Sequence, residues 1–399
     1  MPWKESGRVH ERVRFCVEAK AKEVSFSELC RRFGVSRPVG YKWVQRYELE
    51  GPEGLRDRSR APRNHPHETP DEVVQRVLQV RARHPTWGPR KIIAWLHRHE
   101  PEVAVPVAST VGAILKRHGL VSPRRRTVRT QRSPKPLTQP LEPNAVWTMD
   151  FKGQFKLKGG PYCWPLTLMD LHSRYLLRCQ ALRGYRYKDA RPVLEAAFRE
   201  FGLPQVIRSD NGSPFACRGP GALSEMGVWF IRLGIRPERI TPGRPQENGA
   251  HERMHRTLKA EATKPASPTL VAQQRRFNRF CRDYNEERPH EALDMAPPAS
   301  RFTLSSRPWP RRLRQPVYPE SWATGKVQRQ GQTKFKGRTV YVGRPLEGLR
   351  MGFRQRDEQL WEVWLLDYCL GLIDLAVQGR LRPVALETPA NDVPGLQWK

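Results

Sequence analysis

Between residues 145 and 262 the hydrophobic period switches in an order that few folds accept. Three strand-like apolar runs, at about 145–152, 162–169 and 173–181, are joined by the turn residues Gly159-Gly160 and Leu171-His172-Ser173. A helical run from Tyr187 to Phe201 follows, and Gly202-Leu203-Pro204 ends it. The strand Gln205 to Ser209, a helix near Ala222 to Leu233, a strand near Arg236 to Ile240 and one further helix complete the series. Strands that follow one another directly pair antiparallel, whereas strands separated by helices pair parallel through crossovers. The order therefore predicts a mixed sheet with helices on both faces.

Acidic residues sit where that sheet would expose its strand ends. Asp150 ends the run Val146-Trp147-Thr148-Met149, and Asp210 ends Val206-Ile207-Arg208-Ser209. Glu252 lies in Pro245-Gln246-Glu247-Asn248-Gly249-Ala250-His251-Glu252-Arg253, at the start of the last helix. Two carboxylates at strand ends and one on a helix can converge on hard divalent cations, a ligand set suited to phosphodiester chemistry. The charge balance points to the same polyanionic substrate: 71 Lys and Arg against 40 Asp and Glu give a net charge of +31. A merely basic protein, such as a ribosomal component, would share the charge but leaves the acidic triad unexplained. The seven cysteines are scattered and never form a C-x-x-C pair, which supports neither a disulfide framework nor a zinc knuckle. The start, Met1-Pro2-Trp3-Lys4-Glu5, lacks an apolar signal core, and no apolar run reaches the roughly eighteen residues of a membrane span. A cytoplasmic protein without membrane contact is expected.

The flanking segments look like readers of DNA and connectors. Helical patterns at about Arg8 to Lys22, Phe26 to Phe33 and Arg37 to Glu50, with Gly34-Val35-Ser36 between the last two, have the form of a helix-turn-helix over residues 1–50. Its third helix is expected to present Arg37, Tyr41, Lys42 and Gln45 while Val39 packs with Trp43 or Val44. A structural three-helix bundle is the alternative. Residues 51–69 read as a linker rich in Pro, Gly and Arg, and residues 70–120 as a second helical unit with helices at 70–84, 88–99 and 107–118. From Ala104 to Leu141 there is no acidic residue; Arg124, Arg125 and Arg126 in the basic linker 121–141 are candidates to track a phosphate backbone. After the core at 142–300 come a proline-stiffened linker (301–322), recurrent short strands over 323–380 that suggest a small barrel, and a tail (381–399).

Four ordered runs carry a family resemblance: Trp147-Thr148-Met149-Asp150, Asp170-Leu171-His172-Ser173-Arg174, Ser209-Asp210-Asn211-Gly212-Ser213-Pro214-Phe215 and the Pro245-to-Arg253 run with His255-Arg256-Thr257-Leu258-Lys259. They resemble the integrase core of bacterial insertion-sequence transposases and, more distantly, of retroviral integrases. The resemblance implies a multidomain α/β protein: helix-turn-helix units, a ribonuclease H-like catalytic core and a small SH3-like C-terminal β-barrel. It also implies that Asp150, Asp210 and Glu252 are both catalytic residues and metal ligands. Two Mg²⁺ ions, with Mn²⁺ able to substitute, would serve cutting of transposon ends and joining of the 3′ hydroxyl to target DNA. The partners so implied are double-stranded DNA, as terminal repeats and target, and further copies of the chain on paired ends. A helix-turn-helix transcription factor and a ribonuclease H-like nuclease without strand transfer remain the rival functions.

Within this frame 41 residues separate Asp210 from Glu252, more than in the retroviral relatives, so the loop around Cys217 to Leu223 is expected to be enlarged. Glu247 and Glu261 compete with Glu252. Glu252 is preferred because it opens a helix face continued by His255, Arg256 and Lys259, which would set cations beside DNA phosphates. Ordinary salt-bridge spacing on a helix is the alternative. Asp170 is expected to cap its hairpin turn rather than bind metal. Gln246 and Asn248 are candidates for hydrogen bonds to DNA, with a polar turn as the equal alternative; Arg288 and His290 either pack on the core or touch phosphate.

Overall fold

A computed structural model describes residues 7–58, 68–121, 137–215, 223–376 and 381–382. It divides into two compact units, residues 1–68 and 69–399. The stretch holding Arg124, Arg125 and Arg126, the loop from Cys217, and nearly all of the expected tail lie outside the described residues.

The first unit is built on α1 (Arg8–Ala21), α2 (Phe26–Arg32) and α3 (Arg37–Glu50). Ser25 caps α2 by accepting from the Glu28 amide at 3.3 Å, and Gly34 turns the chain with φ +64°, a conformation that favours glycine. Phe15, Cys16, Leu29, Cys30 and Leu55 form a small core. One expectation fails here: Val39 is exposed rather than packed. The residue that faces the core is its neighbour Gly40, whose missing Cβ leaves space beside Cys30 Sγ and the rings of Phe15 and Phe26. Lys42 and Gln45 are exposed on α3, and Tyr41 stacks on Phe26 while remaining largely open to solvent.

The second unit begins with α4 (Asp71–Arg83), α5 (Pro89–His99) and α6 (Ala108–Arg117), packed around Trp87, Ile92, Leu96, Val111 and Ile114. The sheet that follows contains β1 (Val146–Phe151), β2 (Phe155–Lys156), β3 (Tyr162–Asp170), β4 (Leu176–Leu182), β5 (Val206–Ser209) and β6 (Arg236–Arg239). Strands β2, β1 and β4 pair antiparallel with β3, whereas β1, β5 and β6 run parallel. Alternation along each strand sorts side chains to two faces. Trp147, Met149, Leu166 and Leu168 meet α7 (Tyr187–Phe201) and α8 (Glu225–Arg232). Val146, Met169, Leu176 and Cys179 meet α9 (Gly249–Ala262) and α10 (Leu270–Arg282) on the other. This is the expected ribonuclease H-like arrangement of a mixed sheet between helices.

The segment 301–322 is bolted to that core. Arg307 donates to the carbonyls of Pro204 and Gly234, both at 2.6 Å, and Trp309 stacks near Phe198. Beyond it, β7 (Ala323–Lys326), β10 (Arg350–Gln355), β11 (Leu360–Leu365), β12 (Tyr368–Asp374) and β13 (Leu381–Arg382) form one antiparallel sheet, and β8 (Gln332–Phe335) pairs with β9 (Arg338–Tyr341) in another. The expected barrel is therefore present only as two sheets around one core of Phe335, Val340, Met351, Phe353 and Val363; no closed ring of strand pairing exists among the described residues.

Candidate active site

Asp150 and Asp210 reach the same end of the sheet because β1 and β5 are parallel neighbours. Thr148 is in register with Arg208, and each acid lies two residues further along the chain, Asp150 within β1 and Asp210 just past the end of β5. Parallel strands in a right-handed crossover open a crevice at their carboxyl ends, where loops rather than strands continue the chain. Asp210 heads such a loop: its Oδ1 accepts from the Gly212 amide at 3.1 Å, and a Cβ at Gly212 would stand 3.1 Å from Oδ2. Asn211 anchors the turn by donating to the Ile240 carbonyl at 2.7 Å. Glu252 is exposed on the first turns of α9.

The electrostatics of Asp150 reflect this convergence. Burial, then the negative charge of Asp210, push its carboxyl up to about 7, with Glu252 adding in the same direction. Like charges acting on a partly buried carboxyl are relieved by a cation, and carboxylate oxygens suit a hard divalent one. Asp150, Asp210 and Glu252 offer the oxygen donors that the metal implied by the resemblance would need, while the ligand atoms that lie within 4.8 Å of one another among the described residues are those of Asp150, His251 and His255.

The rival acids have structural partners instead. Glu247 Oε2 accepts from the Thr241 amide at 2.7 Å and holds the loop before α9. Glu261, at the far end of α9, accepts from Arg288 at 2.8 Å and also from Thr86 of the helical unit. Arg288 is buried in that junction, where Trp95 also donates to Glu287 at 2.8 Å. His290 is half-buried, its ring set edge-on against Tyr284. Asp170 is fully buried and accepts from the Asn144 amide and from the Ser173 amide and hydroxyl, as expected of a turn cap.

Of the residues expected at DNA, Gln246, Arg256 and Lys259 are exposed. Asn248 is buried, and its Oδ1 accepts from Thr148 at 2.7 Å, tying the loop to β1. His255 does not act as one of the cations on this face. It is buried, burial holds its ring neutral, and neighbouring His251 and Lys152 push in the same direction.

Three residues were not legible as part of the site. Thr167, opposite Asp150 on β3, contacts both His251 Nε2 and His255 Nε2 at 2.7 Å and donates to the Asp150 carbonyl at 2.9 Å. Lys152 is held below the usual lysine range by burial and then by Lys259, and is drawn up by Asp150, so a third cation borders the acids. His251, with Met254, His255 and Leu258, faces the sheet at helical spacing, and that periodicity was the available signal.

Models of the integrase core domain match residues 140–245 and 233–298. The chain carries an integrase core. Helix-turn-helix and homeodomain-like models match residues 14–63 and 39–115. The chain is 32% identical over 141 residues to the Pol polyprotein of Feline endogenous virus ECE1, covering 35% of this chain and 13% of that one. It is 28% identical over 172 residues to an uncharacterized 31.7 kDa protein of insertion element IS407 from Burkholderia multivorans, covering 43% of this chain and 59% of that protein. The chain thus spans less than two thirds of either relative. Among solved structures it is similar to the HTLV-2 integrase catalytic core domain in complex with magnesium, with TM-score 0.33 and 17% identity over 41% of this chain and 99% of that one. A simian T-cell lymphotropic virus intasome chain is similar over 77% of this chain and 99% of that one, with TM-score 0.36 and 18% identity. Among the described residues no helix is long and apolar enough to cross a membrane.

Proposed function

We propose that the chain is a transposase that cuts the ends of a mobile element and joins them to target DNA. The observation that carries this reading is the pairing of Asp150 and Asp210 at the ends of parallel strands, with Asp150 driven up to about 7 by burial and by its neighbour. Asp150, Asp210 and Glu252 would hold two Mg²⁺ or Mn²⁺ ions. When bound there, such ions supply activation of an attacking hydroxyl and stabilisation of the leaving oxygen. Lys152, beside Asp150, and the exposed Arg256 and Lys259 of α9 would bind DNA phosphates, while exposed Gln246 would contact nucleotides beside the cut.

In cutting, a water oxygen displaces the 3′ oxygen of the element's end at phosphorus, and the departing oxygen takes up a proton as a free 3′ hydroxyl. In joining, that hydroxyl attacks a target phosphodiester in line and releases a target 3′ hydroxyl. Each step exchanges one P–O bond for another, so no covalent protein intermediate is needed. Residues 1–50 and 70–120 would read terminal repeats through Lys42, Gln45 and neighbouring cations, the stretch with Arg124, Arg125 and Arg126 would follow the backbone, and copies of the chain would assemble on paired ends.

The test is to supply full-length protein with Mg²⁺ and labelled element ends, both intact and precut. Asp150→Asn, Asp210→Asn and Glu252→Gln should each abolish cutting and joining while retaining end binding. Glu247→Gln should keep activity. Loss with Glu247→Gln and retention with Glu252→Gln would overturn the assignment, and cutting without joining of a precut end would favour a nuclease.

A further inference from the structure

One nitrogen at the site has no proton to offer and faces a carboxylate. The Thr167 hydroxyl has three neighbours within hydrogen-bond distance: the Asp150 carbonyl at 2.9 Å, and His251 Nε2 and His255 Nε2 at 2.7 Å each. A carbonyl can only accept, so the single hydroxyl proton goes to Asp150, and both imidazoles must donate from Nε2 to the hydroxyl oxygen. A neutral ring carries one N–H, so both Nδ1 atoms are left as lone pairs. His255 Nδ1 then lies 3.6 Å from Asp150 Oδ2, one electron-rich atom against another. His251 Nδ1 is buried and has no hydrogen-bond partner among the described residues. The two rings pack edge to face at 4.6 Å, and Asp150, His251 and His255 each bring a ligand atom within 4.8 Å of the others.

We infer that His255 Nδ1 is a nitrogen ligand for a divalent cation held on Asp150, making this a mixed oxygen and nitrogen site that takes Mn²⁺ in preference to Mg²⁺. The inference rests on the reading of Asp150 as a metal ligand and extends it to a residue outside the acidic triad. Its chemical basis is donor softness: imidazole suits transition metals, whereas Mg²⁺ prefers oxygen alone. Thr167 is the positioning residue, because its hydroxyl fixes which ring nitrogen of His255 is free, as carboxylates and carbonyls do for metal-bound histidines elsewhere.

The test uses the full chain loaded with Mn²⁺ and read by pulsed electron paramagnetic resonance, beside equilibrium titrations with Mn²⁺ and Mg²⁺. Bound Mn²⁺ should show coupling to nitrogen that changes when histidine carries the heavy nitrogen isotope, and His255→Asn should remove it. The same variant should weaken Mn²⁺ binding by about tenfold or more while shifting Mg²⁺ binding by less than about threefold. Thr167→Val should weaken the nitrogen coupling with the three acids intact. Absence of histidine coupling in the wild-type chain overturns the inference without needing any variant to fold, as does coupling that survives His255→Asn and is lost in His251→Asn. If instead Asp150→Asn and Asp210→Asn bind Mn²⁺ as tightly as wild type, the carboxylate site itself is refuted.

Discussion

Replacing Asp150 by Asn should stabilise the metal-free protein at alkaline pH while removing its response to Mg²⁺. A carboxyl whose folded-state value lies above its unfolded value supports the fold fully below the unfolded value and loses that support as pH rises through the folded one. For Asp150 the window runs from the ordinary 3.8 to about 7, so at pH 8 the ionised group opposes folding. The interval corresponds to about 4 kcal/mol. The side chain is 23% exposed, and water reaching it reduces the cost to about 2 kcal/mol. Asn keeps the shape and carries no charge, so Asp150→Asn at pH 8 with chelator should raise the core's melting temperature by about 4 to 8 °C. At pH 4 wild type and variant should melt together. Added Mg²⁺ should then stabilise wild type and leave the variant unmoved. Thermal melts at both pH values, with chelator or with Mg²⁺, supply all the comparisons. A variant less stable than wild type at pH 8 without metal, or equally stabilised by Mg²⁺, would refute the argument that burial and Asp210 strain this carboxyl.

In the N-terminal unit, Gly40→Val should cost about 1 to 3 kcal/mol, since its Cβ would stand 2.8 Å from Cys30 Sγ and 3.0 Å from the Phe15 ring; urea unfolding of the full chain should show an early transition, and an unchanged curve would disprove the close packing. Arg288→Ala should destabilise the second unit by about 3 kcal/mol, because it removes the buried partner of Glu261. Melting in wild type and variant measures this, and restoration by a second change, Glu261→Gln, is expected. Lys42→Ala or Gln45→Ala should reduce discrimination between terminal-repeat and random duplex by about 1 to 3 kcal/mol if either side chain reads a base edge; equal discrimination in fluorescence anisotropy titrations would move the reader elsewhere.

How far the chain could be read from residues alone follows from the range of the forces involved. Helices in both N-terminal units and the alternation of α7, β5, α8 and β6 were legible because periodicity, glycine turns and prolines act within a few residues. The order of those elements then determined the mixed sheet, since handedness and short connections leave few alternatives. Asp150 and Asp210 were legible for the same reason: a residue at the end of a parallel strand is committed to the crevice there. The tertiary structure alone decided matters that depend on distant neighbours. Burial of Gly40 in place of Val39 depends on α1 and α2 supplying Phe15 and Cys30. The partners of Glu247 and Glu261 depend on Thr241 and on Arg288, which lie elsewhere in the chain. His255 carries a residue type that sequence reading counts as a cation, yet its place beneath the sheet beside Thr167 keeps it neutral. Desolvation sets that state, and desolvation is a property of the packed interior that no local pattern encodes.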